Sequence, residues 1–215
     1  MNIQKVINNG LCLGCGFCSF DPSVEKMIYS KQKGMFIPDV NKNTDYTVAN
    51  SICPGNGYKI IEKSTDLFPN AGNYSIELGY YNTLYAVHST DKMTLENASS
   101  GGIMTELLIF LLKEKIVDKV AVTKFVYSNE GIRTRTFLTR DIQEIYNSQG
   151  SKYCPVDASE FVCSLKDNNE KFAYVGTPCQ IASLRNICNI DKNIGNKLVI
   201  TIANFCGGFK NYNQI

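Results

Sequence analysis

The chain has 215 residues, a net charge of +2 and a pI near 8.0. Its cations are scattered among nearly as many anions, which excludes nucleic acid recognised by charge, and its apolar residues never run unbroken for the roughly 18 positions of a membrane span. The N-terminus M-N-I-Q-K-V-I-N-N-G carries no apolar leader, so the expected setting is the cytoplasm, where nine cysteines, an odd number, argue for ligation rather than disulfides.

The first motif is C-L-G-C-G-F-C-S-F-D-P at 12–22. Cys12, Cys15 and Cys18 stand at the two-residue intervals of a loop that wraps an iron–sulfur cluster, with Gly14 and Gly16 to let the backbone turn. A fourth ligand is missing locally. Asp21 sits one position short of where a ferredoxin-type run has its last cysteine, and thiolates are the usual ligands, so S-I-C-P-G at 51–55 supplies the better candidate in Cys53. Two β-prone runs around Gly34, within 27–40, form a hairpin that returns the chain toward the loop. Cys12, Cys15, Cys18 and Cys53 are therefore expected to hold one 4Fe-4S cluster. A zinc site satisfies four thiolates too, but more often joins two separate Cys-x-x-Cys arms.

Pro, Gly and Asn punctuate residues 64–82, which puts a linker at 66–82 between a small module at 1–65 and a domain at 83–215. Strands are predicted at 83–89, 119–126, 133–138, 171–175 and 197–203, and helices at 99–115, 157–166 and 178–187. The first helix would bury Ile103, Leu107, Leu108 and Leu111. The fold class is α+β or α/β, a small ferredoxin-like module followed by an α/β domain with a mixed, partly parallel sheet.

Three polar loops lie at element ends. In A-S-S-G-G, Ser99 or Ser100 can cap the next helix while Gly101 and Gly102 expose amides. S-Q-G-S-K-Y contributes Gln149, Gly150, Ser151, Lys152 and Tyr153, with Lys152 the cation expected to meet a phosphate. In G-T-P-C-Q, Gly176 precedes Thr177 as N-cap and Pro178 as first helical residue, with Cys179 and Gln180 at the positive helix end. Each loop alone is a common way to end an element; together they suggest one pocket for a phosphorylated, ring-bearing cofactor. No Gly-x-Gly-x-x-Gly follows a predicted strand, which argues against a nicotinamide site. Arg133 and Arg135 share a strand face that could take phosphates but reads better as a solvated surface. Cys154, Cys163 and Cys188 read as packing residues, and His88, the only histidine, as a strand-end residue. No catalytic residue is assigned.

The ordered set Y-A-V-H-S-T-D-K, N-A-S-S-G-G-I-M-T-E-L-L, S-Q-G-S-K-Y and V-G-T-P-C-Q-I-A-S-L-R resembles the coenzyme F420 hydrogenase/dehydrogenase beta-subunit family, from about residue 80 onward. The cysteine arm resembles the ferredoxin-like module of many members. The resemblance implies an FAD and iron–sulfur oxidoreductase working with a redox partner protein or small electron carrier, coenzyme F420 among the carriers, with self-association compatible with that role. It also makes Cys179 and Cys206 candidates for a second cluster. Members usually run on past N-F-C-G-G-F-K-N-Y-N-Q-I, so the chain is expected to be truncated, with an incomplete flavin pocket and an intact iron site. Other readings are a non-catalytic electron-transfer or partner-binding subunit with an empty flavin site, and a zinc-stapled scaffold.

Overall fold

The structure, a computed structural model, describes residues 2–70, 72–128 and 131–214. The N-terminal third holds α1 (Ile3–Asn8), the hairpin β1 (Met27–Ser30) and β2 (Met35–Pro38), α2 (Thr47–Ile52) and α3 (Ile60–Leu67). Gly34 closes the hairpin at φ +59°, a conformation glycine adopts without strain. A second hairpin, β3 (Asn73–Ser75) and β4 (Gly79–Tyr81), lies inside the predicted linker. There follow α4 (Lys92–Asn97), α5 (Ile103–Lys113), β5 (Lys119–Ser128), β6 (Gly131–Thr139), α6 (Ile142–Asn147), α7 (Ser159–Ser164), β7 (Phe172–Gly176), α8 (Pro178–Ile190), α9 (Lys192–Lys197) and β8 (Leu198–Ala203).

The main sheet has the order β6-β5-β7-β8, antiparallel between β6 and β5 and parallel from β5 to β8. It is mixed and partly parallel, as expected. Alternation along the strands divides the core. Ala121, Phe172 and Tyr174 face α7, α8 and the N-terminal arm, while Val120, Val122 and Ala173 face α5 and α6. The first of these clusters includes Phe17, Phe20 and Ile52, so the cysteine-bearing arm and the sheet share buried surface. Phe17 meets Phe161 and Tyr174 edge-on, with centroids 6.3 and 5.9 Å apart.

Some expectations change. Residues 83–89 form no strand: their apolar side chains Leu84, Tyr85 and Val87 are exposed and no ladder receives them. The helix predicted from residue 99 begins at Ile103, because Gly102 at φ +74° ends the preceding loop in the left-handed region. That helix buries Leu108, Ile109 and Leu111, while Leu107 is exposed. Cys163 is exposed rather than packed; Cys154 is buried and Cys188 packs against the core. No helix among the described residues is long and apolar enough to cross a membrane.

Candidate functional site

Cys12 and Cys15 lie on the loop after α1, Cys18 in a 3-10 turn at Phe17–Phe20, and Cys53 at the C-cap of α2. All four line one small apolar cavity of about 30 Å³, walled also by Val6, Leu11 and Pro54. The loop keeps its path because two glycines take left-handed angles where a side chain would not fit. A Cβ on Gly14 would stand 2.8 Å from the Phe36 carbonyl oxygen, and one on Gly16 would collide with the Asp157 carboxylate. The Ala158 amide donates to the Cys15 carbonyl at 3.0 Å, which docks the loop just before α7.

Backbone amides turn toward the sulfurs: Gly14 toward Cys12, Phe17 toward Cys15, Gly55 and Asn56 toward Cys53. They lower the thiol pKa values, but burial outweighs them and pushes all four up. For Cys15 and Cys18 the neighbouring thiols add to the rise, each opposing the others' charge. Among the described residues no three His, Cys, Asp or Glu side chains close on a single-ion position. A zinc ion would need its sulfurs about 2.3 Å away. Four thiols around one cavity, with backbone amides aimed at the sulfurs of Cys12, Cys15 and Cys53, are the kind of donor set that an iron–sulfur cluster would use.

Asp21 is not among the cavity's lining residues. Its carboxylate is buried and accepts the amides of Ser23 (2.9 Å) and Ala49 (2.8 Å), so it caps the start of α2 from a distance. The local N-cap of α2, Tyr46, makes no side-chain capping bond. Asp21 thereby ties the three-cysteine loop to the helix that ends in Cys53.

The three polar loops converge. Ser99 through Gly102, Gln149 through Lys152, and Gly176, Thr177 and Gln180 line one cavity of about 390 Å³. Ser99 Oγ accepts the Ser151 amide at 2.7 Å, joining two of the loops, and Gln149 Nε2 donates to the Thr94 carbonyl at 3.1 Å. The starts of α5 and α8 both open on this cavity. The N-termini of two helices favour an anionic ligand. Thr177 caps α8 as anticipated, its amide donating to Gln180 Oε1 at 3.0 Å, with Pro178 at the first helical position. Ser148, one residue outside the predicted set, has a buried hydroxyl at the cavity wall with no partner among the described residues. An orphaned donor beside two helix starts fits a phosphate-bearing group.

Other residues depart from their predicted places. Ser99 and Ser100 do not cap α5, because Gly102 occupies the cap position. Lys152 reaches the wall, but its ammonium donates to the carbonyls of Ser148, Gln149 and Gly150. Burial lowers its pKa to about 8. Tyr153, Pro178 and Cys179 do not line this cavity; Tyr153 lines a neighbouring one. Arg135 forks onto Glu160, with Nε 2.9 Å from Oε2, and Arg133 covers the Phe36 ring at 5.1 Å, so both serve contacts within the fold. His88 is exposed, its Nδ1 2.7 Å from the Ser89 carbonyl oxygen. Cys179 stands near enough to Cys15 to act on its charge, and its sulfur lies 3.1 Å from Thr177 Oγ1. Cys206 is exposed after β8, and its sulfur accepts the Gly208 amide at 3.4 Å.

The model of the coenzyme F420 hydrogenase/dehydrogenase beta-subunit N-terminal region matches residues 84–162, and that of the C-terminal region matches 169–215. The chain belongs to this family. A coenzyme F420 hydrogenase beta subunit from Methanococcus voltae is 32% identical over 114 residues, 51% of this chain and 39% of the relative. An F420-dependent formate dehydrogenase beta subunit from Methanocaldococcus jannaschii is 30% identical over 127 residues, 57% of this chain and 31% of the relative. A chain of the F420-reducing NiFe hydrogenase complex from Methanosarcina barkeri superposes with a TM-score of 0.51 at 22% identity, covering 62% of this chain and 47% of that one, which supports the fold alone. The matched regions thus span well under half of either curated relative. These F420 beta-subunit relatives are parts of oxidoreductases, and the family match includes all three polar loops. It begins beyond the four-thiol site, whose reading rests on this chain's own geometry. Ser148 was legible only as part of its motif, since its lack of a partner depends on the tertiary fold.

Proposed function

We propose that the chain is an iron–sulfur flavoprotein subunit that passes electrons between a hydride carrier, coenzyme F420 or another, bound FAD and one 4Fe-4S cluster. The cluster ligands in this reading are Cys12, Cys15, Cys18 and Cys53. The observation that carries it is the shared wall. The first two turns of α8 contribute Thr177 and Gln180 to the polar cavity and Ser183 to the thiol cavity, with Cys179 between them near Cys15. Two sites on one short helical stretch suit electron transfer without a mobile element.

The chain's residues divide the work. The N-termini of α5 and α8 favour the negative pyrophosphate, Ser148 has a hydroxyl to donate, and Ser99 keeps the 148–152 loop in position through the Ser151 amide. Lys152 braces that loop from behind by its three carbonyl contacts rather than by meeting the ligand. FAD, when bound, exchanges electrons in pairs with a hydride carrier and singly with a cluster. The amides directed at the sulfurs of Cys12, Cys15 and Cys53 stabilise negative charge there.

Anaerobic purification with iron, sulfide, zinc and flavin analysis tests the reading. Iron and sulfide near four per chain with bound flavin are the expected result, and Cys53→Ser should remove most of the iron. Iron without flavin would favour an electron-transfer subunit with an empty cofactor site; zinc without sulfide would refute the cluster.

A further inference from the structure

A cleft of about 450 Å³ lies between the hairpin of β1 and β2, strand β6 and helix α7. No described residue lines both this cleft and the polar cavity. Met27 and Phe36 of the hairpin form an apolar wall, with the Arg133 guanidinium 5.1 Å above the Phe36 ring. The charged side chains around the cleft are Lys26, Arg133 and Arg135 of one sign and Glu25, Asp157 and Glu160 of the other. Its floor holds two groups side by side. Ser19 is 8% exposed, and its hydroxyl has no partner among the described residues. Cys163 is exposed on α7, with its sulfur 3.9 Å from the Ser19 carbonyl oxygen, so an accessible thiol stands next to the residue whose hydroxyl is orphaned.

These features select a ligand by charge. Cations and carboxyl groups in equal number repel part of any ligand that carries one sign alone, whereas a zwitterion offers a carboxylate to the arginines and an ammonium to the carboxylates. The Arg135–Glu160 pair is about half open to water, with side chains 49% and 59% exposed, and a pair so exposed is weak enough to share its charges with a ligand. A buried hydroxyl without a partner costs free energy that a polar ligand atom would recover. The volume falls in the range of small-molecule sites, roughly 300–1,000 Å³. The thiol adds chemistry to the binding.

We propose that this cleft binds a small zwitterionic disulfide, that of an amino acid or short peptide, and accepts half of it on Cys163. The Cys163 thiolate attacks one sulfur of the bound disulfide, whose S–S bond breaks as a new one forms to Cys163. The departing sulfur takes up the proton that Cys163 gave up and leaves as a thiol. Cys163 is thereby oxidised and the leaving sulfur reduced, so the disulfide is the oxidant and neither cofactor of the proposed function takes part. Attack by a second thiol on the adduct reverses the step.

Cys206 is exposed outside the cleft and serves as an internal reference. The anaerobically purified chain is treated with cystine or with the uncharged bis(2-hydroxyethyl) disulfide, and peptide mass mapping follows both thiols. The ratio of the rates at Cys163 and Cys206 cancels the intrinsic reactivity of each reagent. With cystine the ratio is expected to be about tenfold or more, and with the uncharged reagent to fall within about threefold, because only cystine gains the charged contacts of the cleft. Ser19→Ala deletes an orphaned hydroxyl and so costs the fold little, and Lys26→Ala changes a side chain that is 64% exposed. Each should lower the cystine ratio severalfold and leave the other unchanged. Equal ratios for the two reagents would overturn the proposal, since exposure alone would then set the rate. A cystine ratio near one, or one that neither substitution lowers, would overturn it as well. So would a larger ratio for cationic cystamine or anionic dithiodiglycolate than for cystine, since the cleft would then not select a zwitterion.

Discussion

The carboxylate of Asp21 bridges the amides of Ser23 and Ala49 and joins the loop bearing Cys12, Cys15 and Cys18 to the helix that ends in Cys53. Removing it leaves buried amides without an acceptor, a loss of about 1–3 kcal/mol. Asp21→Ala is therefore expected to lower the melting temperature and, by freeing α2, to reduce iron content as well. Asp21→Asn keeps one acceptor oxygen and should fall between Asp21→Ala and the wild type. A ligand aspartate would give a different result: iron would fall in both variants with no matching loss of stability in the iron-free chain. Lys152 offers a pH test. Burial lowers its folded pKa to about 8 from the ordinary 10.5, so between those values the unfolded chain holds a proton that the folded chain has released. Stability from this group then rises with pH across that window and is flat below it. Relative to Lys152→Met, the wild type should gain stability from pH 8 to 10.5 in denaturant titrations; a constant difference would mean that the three carbonyls hold the ammonium charged throughout.

At the scale of elements, legibility followed length and local chemistry. The strands at 119–126, 171–175 and 197–203 and the helix at 178–187 were readable because β-branched runs and a Thr-Pro start are local signals. The short helices α6 and α9 carried a readable signal as well, Asp141 and Asp191 capping them, but six residues are too few for a helical period to emerge. Residues 83–89 show the opposite failure. T-L-Y-A-V-H-S has strand composition, yet a strand needs a ladder partner, which composition cannot supply. The three polar loops were legible individually, and only the crossovers of the sheet gather them at one cavity. A related consequence concerns β8. Its L-V-I-T-I-A sequence has the continuous apolar character of a central strand, but among the described residues it pairs only with β7, and Val199 and Ile200 are exposed. Open apolar edges promote association. Concentration-dependent association by light scattering is expected, reduced by Val199→Lys with little change in melting temperature; equal association in both would place the contact elsewhere.

On the scale of the whole molecule, a boundary drawn from texture at residues 66–82 coexists with a core that crosses it. Phe17 and Phe20 come from the cysteine arm, Ile52 from α2, and Phe161, Tyr174 and Leu184 from the elements around the sheet, all in one buried cluster. Composition marks where a chain is loosely written; it does not report which distant side chains meet. Phe17 is 1% exposed and touches both Phe161 and Tyr174, so its truncation removes two aromatic contacts and opens a cavity that rigid neighbours cannot close. Phe17→Ala should cost about 3–5 kcal/mol. If the arm and the sheet share their core in folding as they do in space, that loss shifts a single unfolding transition seen alike by far-ultraviolet circular dichroism and by tyrosine fluorescence. Leu184→Ala, on α8, should then shift the same transition by a comparable 2–5 kcal/mol, although it lies far along the chain from Phe17. Two resolved transitions, with Phe17→Ala moving one and Leu184→Ala the other, would mean that the arm folds as an independent module and that the shared cluster forms only on docking.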